Sequence, residues 1–320
     1  MKLYIGFLAI LLPLKSICQA VAGVGQSVTE TAVTLNTATG NIAGTLSVPA
    51  ATRKTNIAVA LIIAGSGPTD RNGNNPVMKN NSLRMLSDSL LQHGIATLRY
   101  DKRAIGESAA AARSEDQLRF DDYVCDARGW LHQLKQDKRF SKVVVIGHSE
   151  GSLIGMLIAQ EADQYVSLAG AGQSADLVLK EQLKAQPPMV KDIAYPILDS
   201  LAQGKTVDSV NKLLYSLFRP SIQPYMISWF KYNPQTIIGK LTVPVLIVQG
   251  ENDIQVSVEE AKLLSAANKK ATLVLVPRMN HVLKPVEGDR AANIKVYNDP
   301  SLPLAPELVK SIVGFIAGKK

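Results

Sequence analysis

Three side chains of this sequence have the types and the chain order for nucleophilic attack on a carbonyl: Ser149, Asp253 and His281. Ser149 stands in Gly147-His148-Ser149-Glu150-Gly151, directly after the apolar run Val143-Val144-Val145-Ile146. A serine hydroxyl is a weak nucleophile at neutral pH. It attacks when an imidazole takes its proton and a carboxylate holds that imidazole in the right tautomer. G-x-S-x-G between a strand and a helix puts the serine on a sharp turn. Its flanking glycines relieve crowding, and the helix N-terminus aims partial positive charge at the site.

The base and the acid follow from order along the chain. Of the four histidines, His93, His132, His148 and His281, only His281 comes after the serine, in the loop Pro277-Arg278-Met279-Asn280-His281. The other three are read as structural. The acid is expected after the preceding apolar run, where Gly250-Glu251-Asn252-Asp253 offers two carboxylates. Asp253 is preferred by position, with Glu251 as the alternative. The anionic intermediate needs backbone N–H donors. One is expected from Glu150 and the other from Ser66, in the loop Ala64-Gly65-Ser66-Gly67-Pro68-Thr69-Asp70.

Such residues must be carried by a rigid frame. Short, unalternating runs rich in Val, Ile and Leu occur at Ile57 to Ala64, Ile95 to Tyr100, Val143 to Ile146, Tyr165 to Ala169, Val243 to Gln249 and Thr272 to Val276. They read as strands covered on both faces. Helical patterns lie between and after them at Ser82 to His93, Phe120 to Lys135, Ser152 to Gln160, Val258 to Ala267 and Pro306 to Ala317. The alternation predicts a doubly wound, mainly parallel α/β sheet. Ser27 to Pro49 alternates around Thr39-Gly40-Asn41 and predicts an antiparallel hairpin at the start. Residues 173–239 contain helical segments and no strand pattern, and are read as a helical lid inserted between core portions 23–172 and 240–320.

The chain has 320 residues, 46% of them hydrophobic and 19% charged, enough for one large core with an insertion. Its first residues, MKLYIGFLAILLPLKSICQA, combine a basic start, an apolar run and small residues at Ala20 and Ala22, the pattern of an export signal over residues 1–22. The apolar run is shorter than the roughly 18 residues of a membrane-spanning helix, so no stable span is expected. Export to the periplasm or the medium is expected instead, with a lipid anchor on Cys18 as the alternative. Only Cys18 and Cys125 are present, so signal removal leaves no possible intrachain disulfide, and Cys125 is expected at a buried helix position. The formal charge of +8 falls to +6 without Lys2 and Lys15, and its cations are scattered among acids. That pattern argues against a nucleic-acid partner. No Cys/His cluster has metal-ligand spacing and no nucleotide-binding glycine motif follows a strand, so neither metal nor cofactor is expected.

The sequence resembles the α/β-hydrolase superfamily, in particular bacterial esterases and serine aminopeptidase-like (S33-type) hydrolases. The resemblance is carried by Gly65-Ser66-Gly67-Pro68 with Asp70-Arg71, by Tyr100-Asp101-Lys102-Arg103, by Ile105-Gly106-Glu107-Ser108 and by Gly147-His148-Ser149-Glu150-Gly151. Ala104 departs from the glycine usual in such relatives. The resemblance implies the α/β-hydrolase fold and a carboxylesterase acting on short-chain acyl esters through an acyl-enzyme on Ser149. It also implies a helical cap shaping the acyl pocket, where Phe218, Tyr225, Trp229, Phe230 and Tyr232 are candidate lining residues. Two alternatives stay open. One is a peptidase, with Glu150 or Asp208 gripping a substrate amino terminus; the other is a non-catalytic binding protein on the same scaffold.

Overall fold

The strand Ile57–Ile63, β3, shows why the sheet forms. Its alternate side chains enter two separate apolar layers: Val59, Leu61 and Ile63 pack on the side of Trp130 and Leu131, and Ala60 and Ile62 on the side of Leu86 and Leu90. A strand apolar on both faces is stable only with helices on both. A computed structural model of the chain, which describes residues 28–49, 56–112 and 114–318, shows that arrangement. The signal expected over residues 1–22, with Cys18, lies outside the described residues.

The hairpin strands β1 (Val28–Thr37) and β2 (Gly40–Pro49) pair antiparallel through the turn Ala38-Thr39, one residue earlier than the sequence pattern indicates. They continue into β4 (Ala96–Tyr100), β3, β5 (Phe140–His148), β6 (Gln164–Leu168), β7 (Val245–Gly250) and β8 (Thr272–Val276). The sheet order is β1-β2-β4-β3-β5-β6-β7-β8, and every pair from β4 onward is parallel. The chain leaves β3 toward one edge and returns to β5 on its other side, so the winding reverses between these neighbours. In open parallel sheets the crevice beyond the strand ends at such a reversal is where ligands bind. Both Ser66 and Ser149 lie there, just past β3 and β5.

Helices α1 (Ser82–Gln92) and α11 (Pro306–Ile316) cover one face, while α2 (Phe120–Gln136), α3 (Glu150–Ile158) and α9 (Val258–Ala267) cover the other. Between β6 and β7 the chain is helical and has no strand. It forms α4 (Ala175–Leu183), α5 (Pro188–Ala202), α6 (Tyr215–Phe218), α7 (Gln223–Phe230) and α8 (Pro234–Ile238). Helix α7 docks on α2: the Trp229 ring stacks on Phe120 with centroids 5.9 Å apart, and Ser228 Oγ accepts the Phe120 N–H at 2.7 Å.

Two further details differ from the sequence reading. A short helix, α10 (Arg290–Val296), follows β8, started by Asp289 whose side chain accepts the Ala292 N–H; it lacks the apolar stripe that would reveal it. Cys125 is exposed, not buried. The buried side of α2 runs through Phe120, Tyr123, Val124, Ala127 and Trp130, and Cys125 lies one helical step beyond it.

Candidate active site

Ser149 sits between β5 and α3 with φ +55° and ψ −120°, a conformation costly for any residue with a side chain. Its neighbours make the turn possible. A Cβ on Gly147 would lie 2.1 Å from the Gly151 carbonyl oxygen, and one on Gly151 would lie 2.4 Å from that of Ile63, so neither position can carry a side chain without displacing backbone. The Ser149 N–H is held by the Leu168 carbonyl at 2.9 Å.

The loops after β7 and β8 bring Asp253 and His281 together, with His281 Nδ1 2.8 Å from Asp253 Oδ2. A carboxylate can only accept, so Nδ1 donates and Nε2 is left as the basic nitrogen. The Asp253 side chain is fully buried and well supplied with donors. Oδ1 accepts the Gln255 and Val256 N–H groups at 2.8 and 2.9 Å, and Oδ2 also takes the Gln249 amide at 3.2 Å. Burial alone would push this carboxyl up. The attraction and hydrogen bond of His281, with the two N–H donors, outweigh it and hold the carboxyl below the usual range. Glu251, the alternative acid, is exposed. No hydrogen bond joins Ser149 Oγ to His281 among the described residues; such contacts often close only around a substrate.

Ser66 and Glu150, the candidate oxyanion donors, line one cavity with Ser149. Among the described residues neither N–H has a protein acceptor. The cavity measures about 380 Å³ and is walled mainly by apolar side chains, including Val178 and Leu179 of α4 and Met226 and Trp229 of α7. Of the five aromatic candidates in the insertion, Tyr225 and Trp229 line it, whereas Phe218 and Phe230 are buried and Tyr232 bonds Asp121. A second cavity of about 490 Å³ adjoins the first across Gly67, Pro68, Arg219, Ile222 and Tyr225.

Glu150 is the one carboxylate among the described residues lining the first cavity, and it is already paired. Its side chain is 1% exposed. Lys102 Nζ donates to Oε1 at 2.8 Å and Tyr225 Oη to Oε2 at 2.8 Å. Burial, then the Glu150 charge, pushes the Tyr225 phenol well above its ordinary value, so it stays a donor. Sequence reasoning assigned Lys102 no role of its own, had His148 as structural, and offered Tyr225 only as a lining aromatic, not as a donor to Glu150. For Lys102 the signal was present, since it stands in the Tyr100-Asp101-Lys102-Arg103 motif. The neighbours of Lys102 in that motif are framework: Asp101 accepts from the Arg71 N–H and guanidinium at 2.8 Å each, and Arg103 pairs with buried Asp126 at 2.6 Å. Asp208 is exposed and outside the cavity. Among the described residues no three His, Cys, Asp or Glu side chains come together as a metal ion would require.

The backbone is similar to that of Est1E from Butyrivibrio proteoclasticus with ferulic acid bound, at a TM-score of 0.61 and 17% identity over 90% of this chain and 100% of that one. It is similar too to the esterase Pf2001 of Pyrococcus furiosus, at 0.56 and 16% over 91% and 93%. The fold of this chain is that of the α/β-hydrolases. The family model "Serine aminopeptidase, S33" matches residues 81–228 of the chain, a span that holds Ser149 and ends before Asp253 and His281. Esterase EstD of Thermotoga maritima is 26% identical over 246 residues, 71% of this chain and 55% of that protein. The chain thus spans about half the length of the curated relative it matches.

Proposed function

We propose that this protein is a hydrolase that cleaves carboxylic esters through an acyl-enzyme on Ser149. His281 Nε2 takes the proton as Ser149 Oγ attacks the carbonyl carbon, and the Ser66 and Glu150 N–H groups receive the oxyanion. The alcohol leaves with the proton from His281, and water then releases the acid by the same route. Asp253 holds the imidazole tautomer. The observation that carries this reading is the Asp253–His281 contact at 2.8 Å, in the same fold as a serine held in a strained turn at an apolar cavity.

The chemistry of the cavity favours esters over peptides with a free amino terminus. An α-amino group needs an unpaired carboxylate, and Glu150 is already neutralised by Lys102. A volume of 380 Å³ lies low in the roughly 300–1,000 Å³ range of small-molecule sites, which suits a short acyl group. The helical insertion would serve as the wall of this acyl pocket, and the sequence pattern of residues 1–22 favours export.

The test is hydrolysis of p-nitrophenyl esters of increasing acyl length beside aminoacyl p-nitroanilides, by the protein and its Ser149→Ala variant. Turnover of short esters that falls in the variant to the residual 10³ to 10⁴ over water, an order-of-magnitude expectation, supports the reading. Turnover of anilides alone would replace it with a peptidase. Sequencing the N-terminus of exported protein tests signal removal, and an intact residue 1 would count against it.

A further inference from the structure

Lys102, which follows β4, is 1% exposed, and its ammonium reaches two acceptors: the Gly65 carbonyl oxygen at 2.6 Å and Glu150 Oε1 at 2.8 Å. It also stands 4.8 Å from the centroid of the Tyr123 ring. The Gly65 carbonyl belongs to the same peptide unit as the Ser66 N–H. Glu150 supplies the other candidate oxyanion N–H. One buried cation is therefore bonded to both residues' donor segments, which come from different loops and lie far apart in sequence.

We propose that Lys102 is the positioning residue of the oxyanion site, aiming and strengthening both backbone donors. The inference rests on the acyl-enzyme reading above. Because a peptide unit is planar and trans, fixing the Gly65 oxygen fixes the direction of the Ser66 N–H on the opposite side. A cation on the carbonyl also polarises the amide, and polarised hydrogen-bond chains strengthen their far ends. At Glu150 the ammonium acts through the side chain, holding the first residue of α3 so that its N–H faces the cavity. A stability role alone does not require this arrangement, since a buried ion pair is often matched or bettered by apolar residues of similar size.

The test uses the full chain and its Lys102→Met/Glu150→Gln variant, which removes both charges together and leaves no unpaired buried ion. Sites are counted by covalent labelling of Ser149 with a fluorophosphonate, so that kcat refers to competent molecules. A trifluoromethyl ketone, which forms a tetrahedral oxyanion on Ser149, reports on the oxyanion site itself. The expected result is a kcat lower by about 10- to 100-fold, KM within about twofold, and ketone affinity weakened by the same factor as kcat/KM. Lys102→Arg keeps the charge that Glu150 requires while moving the donor off one of the two oxygens. It is expected to lower kcat per labelled site at least about threefold, whatever the accompanying shift in Tm. Wild-type kcat and ketone affinity per labelled site in either variant, even with a lowered Tm, would overturn the proposal. A wild-type protein without Ser149-dependent turnover or labelling would instead overturn the acyl-enzyme reading beneath it.

Discussion

His148 Nε2 donates to the backbone carbonyl of His281 at 2.8 Å, so the residue before Ser149 anchors the loop that carries the candidate base. The two rings lie 4.9 Å apart. Burial first, and then the neighbouring His281, pushes the His148 imidazole down to about 4. It is neutral, with its proton on Nε2, because a carbonyl can only accept.

That neutrality predicts an acid-side loss of stability. Above pH 6.5 His148 is uncharged both folded and unfolded. As the pH falls from 6.5 toward 4 the unfolded chain takes up the proton while the folded protein does not, and stability declines with pH. The shift corresponds to on the order of 3 kcal/mol. Denaturant unfolding at several pH values should show His148→Gln less stable than wild type at pH 7, with a gap that narrows by about that amount near pH 4. A constant gap would count against a neutral His148.

Asp253→Asn is expected to lower kcat by about 10⁴ with KM little changed. An amide N–H facing Nδ1 forces the imidazole proton onto Nε2, and the ring then presents a donor to Ser149 instead of a base. Glu251→Gln, on an exposed side chain of the same loop, is expected to stay within about twofold of wild type. Steady-state kinetics on one ester distinguishes the two carboxylates, and equal losses would reopen the choice between them.

Gly151→Ala places a methyl 2.4 Å from the Ile63 carbonyl oxygen, and backbone must move to admit it. A loss on the order of 3 kcal/mol is expected, with collapse of fluorophosphonate labelling even below the unfolding temperature. Normal labelling of a stable variant would show that the turn yields to a side chain at little cost.

Ala104 has φ +70°, in the left-handed region. A side chain there costs about 1–2 kcal/mol, and glycine's extra freedom in the unfolded chain returns part of that. Ala104→Gly should therefore stabilise the protein by about 0.5–1 kcal/mol, read as a higher urea midpoint at an unchanged slope. A lower midpoint would place the cost of this turn elsewhere.

The frame of this molecule was legible because each central strand is apolar on both faces, as Val143 to Ile146 is, and such runs have few other fates. His281 was legible by order, as the sole histidine after Ser149. What escaped depended on partners distant in sequence. Nothing local tells that Lys102 meets Glu150, or that Tyr225 of the insertion completes the carboxylate's donors. In α2 composition misleads outright: Cys125 is exposed while its neighbour Asp126 is buried, because Arg103 neutralises the acid on the inner side.

The bond from Tyr225 to Glu150 has a thermodynamic corollary for the insertion. Swinging α7 outward would strip Glu150 Oε2 of its donor, and an abandoned buried acceptor costs about 1–3 kcal/mol. Water must then enter beside Ser149 as the wall departs. Displacement of the wall and wetting of the reaction chamber are one coupled event, and a dry chamber requires the wall in place.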